Sequence, residues 1–184
     1  MKHFFRFVAD FKSVGSLAAK AALAAPFVDL IVNLGPPWPY GATVPILSSL
    51  AEVFVLIYSF QFYPSLPRAA LRRRLRLFFL LLGGTFVLYL VLYSFLVFDV
   101  PIEHGRDVKG FIVQPAVVKI LGPTYTLENA LEGAEWDPFQ IWVEWTIHVA
   151  RIGLMLVWVL WFVGIVGCMA VFVILQRTAR SGTS

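Results

Sequence analysis

Long apolar runs, separated by short charged or proline-rich stretches, dominate this chain of 184 residues. The clearest run covers residues 77–98, which contain no charge, with a group of arginines before it and Asp99 after it. It is long enough to cross a hydrocarbon core of roughly 30 Å at about 1.5 Å per residue. Lys and Arg in short loops stay on the cytoplasmic side of a membrane. The run therefore predicts a transmembrane helix that crosses from inside to outside.

Three further segments have the length and apolar character of membrane spans: 13–34, 43–63 and 152–175. The first ends in the sequence Gly35-Pro36-Pro37-Trp38-Pro39-Tyr40-Gly41. Its prolines stop a helix, and its aromatic residues favour the membrane–water interface. We interpret this short uncharged turn as extracytoplasmic, so that the second span returns inward.

Residues 1–12 alternate aromatic and charged positions at helical spacing. This pattern predicts an amphipathic segment on the cytoplasmic membrane surface. The alternative is a signal peptide over residues 1–25, because 22–24 (Ala-Leu-Ala) resembles a cleavage site. Charges at Asp10, Lys12 and Lys20 interrupt the apolar core that a signal peptide requires.

Residues 99–135 form the one sizeable segment outside the predicted spans, and acids outnumber bases in it. We predict a small ordered extracytoplasmic cap. Residues 110–120 favour a short bent strand or hairpin, and Thr126 is placed to cap a helix over 127–131.

Asp137 followed by Pro138 is typical of a helix start, with an Asp N-cap and proline at the first helical position. The apolar pattern that follows predicts one continuous helix over 138–176, which extends outside the membrane at its beginning.

The predicted fold is a single domain over 1–184, an all-α integral membrane protein of four transmembrane helices. Both termini lie inside, and the cap lies between helices 3 and 4. Eleven of the 15 basic residues then lie on or next to the cytoplasmic side: Lys2, Arg6, Lys12, Lys20, Arg68, Arg72, Arg73, Arg74, Arg76, Arg177 and Arg180. We place this domain in a bacterial cytoplasmic (inner) membrane.

Composition agrees with this class. The chain is 59% hydrophobic and 14% charged, whereas soluble domains carry about 25% charged residues. A net charge of +4 would also suit nucleic acid, but the basic residues flank apolar runs, where topology explains them. We therefore expect membrane lipids as partners and no nucleic acid.

Glu52 lies at the middle of the second span. A carboxylate at that depth costs on the order of 3 kcal/mol or more, so such residues usually face the bundle interior. Thr85 and Tyr89 of the third span are expected near the same level. Two interpretations stay open: an ion, proton or gating residue, and a glutamic acid that joins helices by hydrogen bonding.

Asp29, near the outer end of the first span, and Arg151, at the outer edge of the last, are predicted to pair at the outer interface. His148 lies one turn above Arg151. Alternatively, both charged side chains extend separately to water.

The basic cluster is Arg68, Arg72, Arg73, Arg74 and Arg76. Its first role is to set topology, and anionic lipid headgroups or a cytoplasmic partner are further candidates. Four glycines are candidate positions for close approach of two helices, either within the chain or between subunits: Gly83, Gly84, Gly164 and Gly167.

Catalytic signatures are absent from the sequence, with no GxSxG, HExxH or phosphate-binding loop. Cys168 is the single cysteine, and the three histidines lack ligand spacing, so no metal or cofactor is predicted. A tetraspanin is excluded because the loop cysteines of that family are missing.

The size and span count are similar to those of small bacterial membrane effectors of antiviral defence, a likeness of layout without a shared motif. We expect a non-enzymatic homo-oligomer that forms or regulates a pore. The alternatives are an accessory subunit of a larger membrane complex and a small transporter or membrane enzyme that uses Glu52.

Overall fold

The computed structural model describes residues 35–39, 43–101, 105–121 and 126–180. Within them the chain forms six α-helices, one 3₁₀ turn and one two-stranded antiparallel sheet.

Three helices dominate the structure. They are α1 (Thr43–Phe62), α2 (Arg68–Leu96) and α6 (Glu144–Arg180). Each is long and apolar enough to cross a membrane, and they coincide with the second, third and fourth predicted spans. The amphipathic segment predicted over 1–12, the first span over 13–34 and the alternative signal peptide lie outside the described residues.

The connection between α1 and α2 follows from its prolines. Pro64 sits at the start of a 3₁₀ turn, Tyr63–Ser65, where its missing N–H leaves no hydrogen bond unmade. Pro67 precedes α2, and its carbonyl accepts the backbone N–H of Leu71 at 3.1 Å. The helix therefore begins at Arg68, and the basic cluster forms its first turns instead of a loop before residue 77.

The third predicted span ends two residues too late. α2 stops at Leu96, and Val97 and Phe98 belong to strand β1 (Val97–Val100). This strand pairs antiparallel with β2 (Gly105–Val108), with Val97 opposite Val108. The Lys109 N–H donates to the Leu96 carbonyl at 2.8 Å, so the hairpin satisfies the end of the helix.

The short bent strand or hairpin expected over 110–120 is wrong. Residues Pro115–Leu121 form helix α3 instead, with proline at its first position, where the preset φ favours a helix start. Extended pairing in this segment is limited to Val113, which bridges to Trp142.

Two predicted helix starts are confirmed. The Thr126 hydroxyl caps α4 (Leu127–Gly133) by accepting the Asn129 N–H. The Asp137 carboxylate caps α5 (Pro138–Ile141) by accepting the Phe139 N–H at 2.9 Å.

The continuous helix expected over 138–176 is wrong, because it breaks at Trp142 and Val143. The Val143 N–H donates to Ile112 at 2.9 Å, and the Ile141 carbonyl accepts Gln114 N–H at 2.9 Å. Backbone groups that a helix would use internally therefore bond to a distant segment.

The described chain divides into two compact units, where the sequence pattern predicts one domain. The helical unit comprises Gly35, 45–85 and 159–180; the hairpin unit comprises 36–39, 43–44, 86–101, 105–121 and 126–158. The helical unit has two apolar clusters, one of Leu56, Val166 and Ala170 and one of Tyr63, Leu71, Val171 and Ile174. The core of the hairpin unit consists of Ala130, Leu131, Ala134, Ile141, Trp142 and Ile147.

Candidate functional site

One face of α1 and the turn after it is buried and carries several polar groups. Its members recur at intervals of four or three residues, which places them on one helical face: Ser48, Glu52, Leu56, Ser59 and Tyr63. We call this set the polar line. Glu52 is only 3% exposed, and both serines are buried as deeply. The whole polar line lies in the helical unit.

The opposite face of α1 is apolar and exposed. Leu50 and Phe54 are 63% and 70% exposed, and Ile46, Val53 and Ile57 are also exposed. Polar groups inside and apolar groups outside are the reverse of the arrangement of a water-exposed helix, and they suit a helix surrounded by lipid.

The polar line packs against α6 through its apolar members. Leu56 clusters with Val166 and Ala170 of α6, and Tyr63 clusters with Val171 and Ile174. These contacts fix the rotation of α1 about its axis, so Ser48, Glu52 and Ser59 on the same face must also point inward.

The polar members are poorly satisfied. Neither the Ser48 nor the Ser59 hydroxyl has a hydrogen-bond partner in the described part of the chain. No ion pair joins Glu52 to another described residue. Buried polar groups are normally hydrogen-bonded, because leaving one unpaired costs about 1–3 kcal/mol. Two orphan hydroxyls and an unpaired carboxyl on one face therefore call for water, an ion or a partner group.

The two residues expected beside Glu52 take different positions. Thr85 is buried in the helical unit, and its hydroxyl donates to the Leu81 carbonyl of its own helix at 2.7 Å. Tyr89 is buried in the hairpin unit, where its ring lies 5.0 Å from Trp158 and 5.7 Å from Tyr93. The role predicted for these two residues at the level of Glu52 stays a prediction.

A second polar site lies in the hairpin unit, around Arg151. The Arg151 guanidinium donates to Asp107 at 2.6 Å, and the two side chains are only 7% and 14% exposed. The guanidinium also lies over the ring of Phe139 at 5.2 Å and that of Trp38 at 6.0 Å. Two aromatic faces and one carboxylate thus surround the charge, an arrangement that stabilises a desolvated cation.

This pair ties three parts of the hairpin unit together. Asp107 belongs to β2, Arg151 to α6, and Phe139 to α5. Asp107 also accepts the backbone N–H of Val108 at 2.6 Å, which fixes the carboxylate. The arginine Nε has no hydrogen-bond partner in the described structure.

The pair predicted between Asp29 and Arg151 stays a prediction, because Asp29 lies outside the described residues. His148, placed one turn above Arg151, instead contacts Glu144 at 3.5 Å and the ring of Phe139 at 5.8 Å. Both partners of the His148–Glu144 pair are exposed, so it contributes little to stability.

All five arginines of the basic cluster are exposed. Arg68 donates to the backbone carbonyl of Thr178, and Arg74 lies 6.0 Å from the centre of the Tyr63 ring. The other three have no hydrogen bond or ion pair with a described residue.

The surroundings of Gly164 and Gly167 are crowded, whereas those of Gly83 and Gly84 are open. A Cβ added to Gly164 would lie 3.0 Å from backbone atoms of Leu82, and one on Gly167 would lie 2.4 Å from the Phe78 ring. A Cβ on Gly83 or Gly84 would meet no described residue within 4 Å. The first pair is a close contact between α6 and α2 within the chain, and the second pair is open surface.

Among the described residues, no group of three or more His, Cys, Asp or Glu side chains is arranged to hold a metal ion. Cys168 is buried and reduced.

Sequence reasoning identified Glu52 and Arg151 but missed their neighbours. Ser48 and Ser59 carried a signal, since they lie four residues before and seven after Glu52 in an apolar run. Asp107 carried none, because its role depends on the pairing of β1 with β2.

Comparison of the chain with protein-family models, curated proteins and solved structures gives no match.

Proposed function

We propose that the protein is a non-enzymatic integral membrane protein of channel type, in which the polar line is part of the conducting path. The observation that carries this proposal is the burial of Glu52, Ser48 and Ser59 on one face of an otherwise apolar helix. Oxygen-bearing side chains along a helix axis replace the hydration shell of an ion or support a chain of water.

The path is assigned to the interior of the protomer. A residue that lines a pore between subunits would be exposed in a single chain, whereas Glu52 is 3% exposed. Homo-oligomers would then assemble through apolar outer faces, such as the exposed α6 stripe of Trp145, Val149, Ile152 and Leu156.

The same burial favours a second candidate, a small transporter in which Glu52 binds and releases a proton or cation. An intramembrane carboxyl within one protomer is typical of proton relays in transporters. An accessory subunit of a larger complex is the third candidate, and it predicts no flux from the purified protein.

The proposed topology has four spans, over 13–34 and along α1, α2 and α6, in a bacterial inner membrane. Both termini and the basic cluster lie in the cytoplasm, and residues 99–135 lie outside, because Lys and Arg are retained inside.

Labelling with a membrane-impermeant thiol reagent tests this topology. A cysteine at the exposed Lys119 should react in intact cells, and one at the exposed Arg73 only after the cytoplasmic side is opened. The unsubstituted chain is the control, since Cys168 is buried. The reverse order of labelling would contradict the proposed orientation.

Ion flux in liposomes tests the conducting path. Glu52→Gln keeps the size and hydrogen-bonding capacity of the side chain and removes the ionisable group. We expect proton or cation flux to fall by roughly tenfold or more, with unchanged expression and oligomer size. Growth of cells that overproduce each variant is a second readout, since an open pore is toxic.

Tyr58→Phe is the matched control, because it removes a hydroxyl from the exposed face of the same helix. Its flux should equal that of the unsubstituted protein. Equal flux for Glu52→Gln would remove Glu52 from the path, and no flux from the unsubstituted protein would favour the accessory subunit.

A further inference from the structure

The five arginines of the basic cluster divide by their contacts. Arg68 and Arg74 are engaged within the chain, by the Thr178 carbonyl and the Tyr63 ring. Arg72, Arg73 and Arg76 are exposed and have no partner among the described residues. Three guanidinium groups are therefore free to bind an external anion.

Arg72 and Arg76 share one face of α2, because they are four residues apart. The same face continues toward Gly83, seven residues beyond Arg76, where no atom of the described residues lies within 4 Å of an added Cβ. Phe79 and Leu80, 58% and 72% exposed, flank this glycine along the helix. Arg72 and Arg76 thus lie next to an apolar strip on α2, which is the surface over Gly83 bordered by Phe79 and Leu80.

The helical unit offers no compensating charge. Among its described residues Glu52 is the one acid, and it is buried. Against it stand seven arginines: the five of the cluster, Arg177 and Arg180. Exposed cations next to an apolar surface attract the anionic headgroups of membrane lipids.

We propose that this face of α2 binds one anionic phospholipid. The Arg72 and Arg76 guanidinium groups hold the phosphate, and an acyl chain lies over Gly83 between Phe79 and Leu80. The planar guanidinium group can bind two phosphate oxygens at once. The apolar strip begins one helical turn after Arg76, and in a phospholipid the acyl chains likewise follow directly on the phosphate headgroup.

A second copy of the chain fits this face less well. A copy inserted in the same orientation brings its own arginines to the same depth, and the described residues of its helical unit bring no exposed acid. Like charges would then meet beside lipid, which is unfavourable. A phospholipid supplies both the negative charge and the apolar chain.

Native mass spectrometry of the full chain in mild detergent tests the proposal, by titration with phosphatidylglycerol or with phosphatidylcholine of the same acyl chains. We expect phosphatidylglycerol to bind about tenfold more tightly. The double variant Arg72→Gln/Arg76→Gln should lose that preference. Glycerol phosphate should not compete, because it lacks the acyl chains. Competition by glycerol phosphate would indicate a site for free phosphate instead.

Arg74→Gln is the matched control, since it removes one charge from the same cluster on the opposite side of α2. Its preference for phosphatidylglycerol should stay intact. Arg72→Lys/Arg76→Lys keeps the charges needed for insertion and should weaken binding severalfold, so the test survives if the glutamine pair fails to fold.

Three further outcomes would overturn the assignment. They are equal affinity for the two lipids, a loss in Arg74→Gln as large as in the double variant, and a change of oligomer size instead of lipid affinity in Gly83→Val. The last would show that a second copy occupies the face. None of these measurements involves ion flux, so this inference and the proposed channel fail or stand separately.

Discussion

Asp107→Asn should lower the free energy of unfolding by about 3 kcal/mol, the lower end of the range for breaking a buried ion pair. The substitution keeps an oxygen that can accept the Val108 N–H but removes the negative charge. Arg151, 7% exposed, then remains buried with two aromatic rings and no counter-charge from the described residues. The unfolding midpoint in detergent should fall by roughly 10 °C.

The control lies on the same helix. Glu144→Gln breaks the exposed pair with His148. Because the Glu144 side chain is 75% exposed, this change should alter the free energy of unfolding by less than about 0.5 kcal/mol. Arg151→Gln combined with Asp107→Asn should cost less than the sum of the two single changes, because the residues are in contact.

Asp29 provides the contrasting outcome. If Asp29 is the main partner of Arg151, Asp29→Asn should be severe and Asp107→Asn mild. If the effects of Asp107→Asn and Arg151→Gln simply add in the double variant, the Asp107–Arg151 pair does not contribute to stability.

Gly164→Val should destabilise the fold by about 3 kcal/mol or more. A Cβ at this position lies 3.0 Å from the backbone N and Cα of Leu82, and a helix backbone cannot retreat as a flexible side chain can. Overpacking by single methylenes already costs about 1–3 kcal/mol, and valine adds two further methyl groups. The measurement is thermal unfolding of the purified protein in detergent.

Gly83→Val makes the same chemical change where the surroundings are open. It should be neutral or slightly stabilising, since valine favours a helix more than glycine does. Equal losses for the two variants would show that the contact between α6 and α2 does not determine the effect of Gly164→Val.

Local chemistry in the sequence was enough to place the long helices and several of their ends. Apolar runs of sufficient length located α1, α2 and α6, although α2 and α6 begin nine and eight residues before the predicted spans. Thr126 and Asp137 signalled their helix starts, because a capping bond reaches only two or three residues along the chain. The inward position of Glu52 also followed, because a carboxyl in an apolar span must avoid lipid.

The tertiary structure alone decided where backbone and charged groups bond over long distances. The pattern at Trp142 and Val143 suits a helix, yet their segment bonds to residues 112–114. Val97 and Phe98 read as the end of an apolar span, yet they pair with β2. Among the described residues, Arg151 is paired with Asp107, 44 positions away. Each of these arrangements depends on which distant donor, acceptor or charge the folded chain brings within about 3 Å. The spacing of apolar residues along the sequence gives no information about such distances.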